Sequence, residues 1–163
     1  MRTIVASALA CYMPLAFSAT EIVVPDLDLG HWVTTVDTSE LVEKALAAVP
    51  ASSRAMLKNI IEQQLQGAST SDQCITQETL DNFDDQIKEG FGNQTNCEFN
   101  IIESSSEKFV ATMQCPEADL RAETNIISSK RNESTLVSDV AGMGKTTIKS
   151  VSEWVSSDCP AGL

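Results

Sequence analysis

The chain has 163 residues, 23 acidic against 11 basic side chains, a net charge of −12 and one histidine. A surface this acidic repels phosphate backbones and anionic lipid headgroups, which excludes nucleic acid as an expected partner. With one histidine, any acid–base or serine-nucleophile scheme has to run through His31.

The first nineteen residues, "MRTIVASALACYMPLAFSA", carry one positive charge at Arg2, an apolar run from Ile4 to Phe17 and small residues at Ser18 and Ala19. This reads as a cleaved secretory signal peptide, residues 1–19. An uncleaved anchor would need about 20 apolar residues, and Pro14 interrupts this run. A lipoprotein would use Cys11, but Ala8 stands where its signal wants a branched apolar residue. The mature chain, residues 20–163, is therefore expected to be exported, with no transmembrane segment. Loss of Arg2 takes its net charge from −12 to −13, and about 145 residues suffice for one domain with one core. Cys11 leaves with the signal, so Cys74, Cys97, Cys115 and Cys159 remain, an even number that predicts two disulfides in an oxidising compartment. With no C-x-x-C pair and His31 distant in sequence, no zinc site is expected.

"LGHWVTTVD", residues 29–37, alternates and is β-rich, predicting a strand from Gly30. The period then changes. After Thr38 or Ser39 as N-cap, Leu41, Val42, Ala45, Leu46 and Val49 recur at helical spacing until Pro50. A second helix, roughly 52–66, aligns Met56, Leu57, Ile60, Ile61 and Leu65, with Gly67 as its exit. This helical insert, about 39–66, is expected to lay its apolar stripes on the sheet. Its residues Leu41, Leu46, Leu57 and Ile61 are the candidate surface for an apolar ligand or an envelope protein partner. A short strand through Cys74 follows, and then a third helix capped by Thr76 and ending near Gly90.

In "CEFNIIESSSEKFVATMQC", residues 97–115, a turn centred on Ser106 sets Phe99 opposite Met113, Ile101 opposite Ala111, Glu103 opposite Phe109 and Cys97 opposite Cys115. One face then carries Cys97, Phe99, Ile101, Phe109, Ala111, Met113 and Cys115, and facing cysteines are close enough to bridge. A Cys97–Cys115 disulfide is predicted, and by elimination Cys74 pairs with Cys159. Strands are expected over "LRAETNIIS", "ESTLVSDV" and "TTIKSVSEWVSSDC". In the last of these Ile148 and Trp154 share a face with Ser150 and Ser152 between them. The sum is an α+β domain: a curved or partly closed antiparallel meander of about five or six strands, with two or three short helices near its N-terminal part.

Two stretches imitate chemistry. "VAGMGKTT" resembles the end of a nucleotide-binding P-loop, but Asp139 occupies the first-glycine position, where a carboxylate would face phosphates. Only 18 residues follow Lys145, and they alternate like a strand. The glycines are what a hairpin turn needs, so no nucleotide is expected. Asp81, Asp84, Asp85 and Glu89 lack calcium-loop spacing and form a solvated helix face. Asn93 and Asn132 begin glycosylation-type triplets. No cofactor, metal or catalytic constellation is expected.

Gly30-His31-Trp32-Val33-Thr34-Thr35, "QCIT" at 73–76, the two hairpin cysteines and the terminal "SDC" together resemble an exported bacterial family called domain of unknown function 3617. The resemblance spans about residues 28–160. Ser157 replaces the family's usual glycine, His31 stands at an aliphatic position, and a helical pair replaces a Met/Pro-rich insert. The resemblance implies a periplasmic location and no established activity. The expected function is non-enzymatic binding of an apolar ligand or a protein partner. The rivals are a His31-centred enzyme and an inhibitor of an envelope enzyme that uses a meander loop as its plug.

Overall fold

The structure, a computed structural model, describes residues 22–65, 69–92, 96–142 and 144–163. The expected signal peptide and Cys11 lie outside the described residues. Seven strands and four helices follow in chain order: β1 (Gly30–Asp37), α1 (Ser39–Ala47), α2 (Ala51–Leu65), β2 (Thr70–Ile75), α3 (Gln77–Asp81), α4 (Phe83–Gly92), β3 (Glu98–Ser104), β4 (Lys108–Cys115), β5 (Ala118–Ser128), β6 (Arg131–Val140) and β7 (Gly144–Ser156). The strands form one antiparallel sheet in the order β2-β1-β7-β6-β5-β4-β3. Two expectations need correcting. There are seven strands rather than five or six, because the short Thr70–Ile75 segment pairs fully along β1 as an edge strand, and the sheet is open, with β2 and β3 as its edges. Four helices rather than two or three lie among the described residues, because the third predicted helix breaks at Asn82 and resumes at Phe83.

Strands β3 to β7 are a meander joined by short turns. At the last of these, Gly142 (φ 84°) and Gly144 (φ 74°) supply the left-handed residues that the hairpin requires. Strand β1 then pairs with the C-terminal β7, so the two ends of the described chain meet in the sheet. Beyond Ser156 the tail crosses the start of β1 to reach β2, where Cys159 is bridged to Cys74 with their Cα atoms 5.7 Å apart. Gly30 makes this crossing sterically feasible. Its φ is +127°, and a Cβ there would lie 2.2 Å from the Ser156 carbonyl oxygen and 2.8 Å from Ser157 Cα. The second bridge, Cys97–Cys115, joins β3 to β4 with Cα atoms 4.3 Å apart. Closing loops of 85 and 18 residues, the two bridges are worth about 4–5 and about 3 kcal/mol in the chain-entropy account.

Phe99 faces Met113 and Ile101 faces Ala111, but a bulge at Ile102 then shifts the register, so that Glu103 opposes Val110 and Ser104 opposes Phe109. The expected Glu103–Phe109 pairing is thus corrected for a clear reason. Unbulged, the carboxylate would sit against an aromatic ring on the inner face. Bulged, it turns outward to Lys108 at 3.7 Å, while Ser104 turns inward and its hydroxyl accepts the Val23 N–H at 2.8 Å. The outer face is laced by charge pairs, including Lys108–Glu123 at 3.1 Å and Arg131 with Glu133 and Glu153. The hydrogen bond between Lys108 and Glu123 is the main reason that the carboxyl titrates below, and the amine above, its ordinary value.

Of the insert, α1 runs against β7 while α2 packs on α1, so the expectation that both apolar stripes lie on the sheet is corrected for α2. Helix α1 meets β7 through polar contacts. Where β7 runs on past the end of β1, the Glu40 carboxylate accepts the otherwise unpaired Thr147 N–H at 3.2 Å, and the Lys44 ammonium donates to the Lys145 carbonyl. Helix α2 packs on α1, and its described side chains are exposed except for half-buried Leu57 and Ile61. Arg54, Lys58 and Asn59 interrupt its apolar spacing, and two residues at i and i+4 make too narrow a stripe to bury a helix.

Replacing Gly30 with Ala should destabilise the fold by about 2 kcal/mol or more, lowering Tm in a calorimetric scan by about 5 °C or more. An unchanged Tm would show that the tail does not cross β1 at this residue.

Candidate functional site

Register sets the chemistry of the inner face. Thr34, Ser152, Asn132 and Ile126 form one row across β1, β7, β6 and β5, and the next row runs Val36, Ser150, Ser134, Thr124 and Phe109. Further along the same face come Leu136, Ala122, Ala111 and Ile101, then Leu120, Met113 and Phe99. The face is therefore apolar at one end and carries hydroxyl and amide groups at its centre. Thr34 and Ser152 share a hydrogen bond of 2.8 Å, and Thr124 and Ser134 one of 2.9 Å. Such cross-strand hydroxyl pairs satisfy one another while each keeps spare capacity.

Over this centre lies a cavity of about 410 Å³, within the size range of small-molecule sites. It is lined from β2 by Ile75 and from β4 by Phe109, strands five places apart in the sheet order. In a flat sheet they would be about 24 Å apart, at roughly 4.8 Å per strand. The sheet must therefore curl to let both reach one cavity. Helices α3 and α4 bridge the concavity from the β2 side. A capping box fixes the start of α3, with the Thr79 N–H donating to Thr76 Oγ1 at 3.2 Å and the Thr76 N–H to Thr79 Oγ1 at 3.3 Å. After the break at Asn82, Phe83 meets Phe109 edge to face with ring centroids 6.4 Å apart.

The remaining wall is the segment before β1, where Val23, Pro25 and Leu27 face the cavity. Both tryptophans hold this strap: Trp32, fully buried, donates its indole N–H to the Asp28 carbonyl at 2.8 Å, and Trp154 donates to the Leu29 carbonyl at 2.9 Å. The Asp28 N–H donates to the Ser129 carbonyl at 2.7 Å, and the Lys130 ammonium sits 4.2 Å from the Trp154 ring centroid. The cavity is thus walled by aliphatic and aromatic side chains over a floor of hydroxyls and amides. No charged side chain among the described residues lines it.

None of Leu41, Leu46, Leu57 and Ile61 lines this cavity. They lie on α1 and α2, where Leu41 is 43% exposed and the other three are half-buried. Of the cysteines, Cys74 reaches the cavity rim, and Cys97, Cys115 and Cys159 do not. His31 projects from the opposite face of β1, its Nε2 2.7 Å from Asp72 Oδ1 on β2. A carboxylate is in reach, but no hydroxyl or thiol among the described residues hydrogen bonds the ring, and the cavity is on the other side of the sheet. The pair stitches β1 to β2. Asn132, the start of one triplet, faces the cavity from within β6, while Asn93 lies outside the described residues. The place of Asn132, Thr124, Thr34 and Phe83 at a cavity is not given by the sequence reading. Their signal is the run of small polar residues at alternate positions, Ser150 and Ser152 between Ile148 and Trp154, on a face that otherwise reads as core.

Phe83→Ala should raise amide hydrogen exchange in α3–α4 by about tenfold or more while β5–β7 stay protected. Equal changes throughout the chain would show that the helices are not a separately anchored cover.

No curated protein and no solved structure matches the chain. The match to a family covers residues 27–159, from the strap through the last cysteine, and on that span the chain belongs to the family described as "Protein of unknown function (DUF3617)".

Proposed function

We propose that this protein is a non-enzymatic periplasmic binding domain that takes a small apolar molecule into the cavity between the curled sheet and α3–α4. The observation that carries the reading is the cavity itself. It holds about 410 Å³ of space with apolar walls, and its bounding segments are joined by specific contacts. Two disulfides point to an oxidising compartment. No helix among the described residues is long and apolar enough to cross a membrane. With the signal-like residues 1–19, these features support export to the envelope of a Gram-negative bacterium.

A second reading, a protein partner docked on α1–α2, is favoured by the exposure of Leu41 at 43%, Ile60 at 40% and Met56 at 71%. The first reading is preferred because a formed, walled space is a more specific feature than scattered exposed side chains.

The uncharged dye Nile red should bind the disulfide-intact protein and fluoresce. Gln86 lines the cavity from the exposed side of α4 and Ala122 lies in its floor. Gln86→Trp should obstruct the mouth and Ala122→Phe should fill the floor, each weakening dye binding by about tenfold or more with an unchanged circular dichroism spectrum. Dye binding that ignores both substitutions would place the apolar site elsewhere.

A further inference from the structure

The chain carries 23 acidic and 11 basic residues, yet none of the described residues lining the cavity is charged. The polar lining consists of alcohols and amides, among them Thr34, Gln73, Thr124, Asn132 and Ser152. Thr34 is bonded to Ser152, and Thr124 to Ser134. Asn132 differs. It sits between these pairs on the inner face, opposite Ser152 on one side and Ile126 on the other. No side-chain hydrogen bond to its amide is formed among the described residues, so its carbonyl and two N–H donors remain available to the cavity.

This distribution selects a ligand by its charge. A carboxylate, phosphate or ammonium group entering the cavity would leave water without meeting an opposite charge, and such transfer is strongly unfavourable. An alcohol, ester or amide would instead exchange its water for the Asn132 amide and the spare hydroxyl capacity beside it. Apolar walls formed by Phe109, Ile126, Leu80 and the strap would take the rest of the molecule. From these facts, and resting on the binding reading above, we infer that the cavity is a site for an uncharged amphiphile whose alcohol, ester or amide end is held at Asn132. On the sheet, the described lysine and arginine ion pairs lie on the outer face, where Lys108, Arg121 and Arg131 meet their carboxylates.

The test is competition against bound Nile red by four single-chain compounds of matched length: decanol, methyl decanoate, decanoate and decyltrimethylammonium, each below its aggregation threshold. Decanol and methyl decanoate should displace the dye, and the two ions should be weaker competitors by about tenfold or more. Asn132→Ala should weaken decanol by about fivefold, the loss of one neutral hydrogen bond, with dye binding retained. Equal competition by decanol and decanoate, failure of decanol to compete, or an Asn132→Ala variant with unchanged decanol affinity would overturn the inference while leaving the cavity as a dye site. Failure of Nile red itself to bind the native protein would remove the binding reading and the inference together.

Discussion

Strand β1 is the constraint on which the rest depends. It lies between the edge strand β2 and the last strand β7, and it is reached only because the tail after Ser156 can pass over its first residue. Any side chain at Gly30 would occupy the path of that tail. Without the crossing, Cys159 could not meet Cys74, and the β2 edge would lose its tie to the C-terminal end of the sheet. One side of the cavity follows from this placement. Thr34 comes from β1, Ile75 from β2, the strap leads into β1, and α3–α4 leave from β2. The tryptophan of β1 and the tryptophan of β7 pair across the strands and hold the strap by its carbonyls.

The inner face is built at some expense of stability. Among the described residues the buried apolar set of the whole sheet is small, Trp32, Ile75, Val110, Ala111 and Met113, and the centre of the inner face is given to hydroxyls and amides. A sheet made for stability alone would place valine or leucine there. Against a net stability of about 5–15 kcal/mol for a domain, two disulfides worth about 3 and about 4–5 kcal/mol in the entropic account are a large share. They compensate for a core that is hollow where an ordinary sheet would be filled. The polar centre of the face is tolerated because its hydroxyls pair across strands, leaving Asn132 as the one described amide in that row whose bonding capacity is turned to the cavity.

The parts of this architecture that rest on local period were legible in the sequence. The alternation of Phe99 and Ile101 against Met113 and Ala111 gives the β3–β4 register, and the glycines of 142–144 give the β6–β7 turn. Thr76 announces the start of α3. What was not legible depends on separation. The pairing of β1 with β7 joins residues more than a hundred positions apart, and no local pattern encodes it. The bulge at Ile102 follows from the need to turn Glu103 away from Phe109, which only the assembled face imposes. The cavity was missed because hydrophobicity pointed to Leu41, Leu46, Leu57 and Ile61, whereas the site is marked by small polar residues at core positions of the strands. Its chief signal, Ser150 and Ser152 between Ile148 and Trp154, reads as noise until register sets them beside Ser134 and Asn132.

In the proposed function a ligand enters the space under α3–α4 and does not dock on the helical insert. Methyl-labelled nuclear magnetic resonance of the disulfide-intact protein, titrated with a neutral amphiphile, tests it directly. Ligand contacts and shifts are expected at Val23, Leu27, Leu80, Ile87 and Ile126, which line the cavity from the strap, the helices and the sheet. The methyls of Leu41, Leu46, Leu57 and Ile61 should stay unmoved. Shifts confined to those four residues of α1 and α2, with the cavity methyls silent, would contradict it.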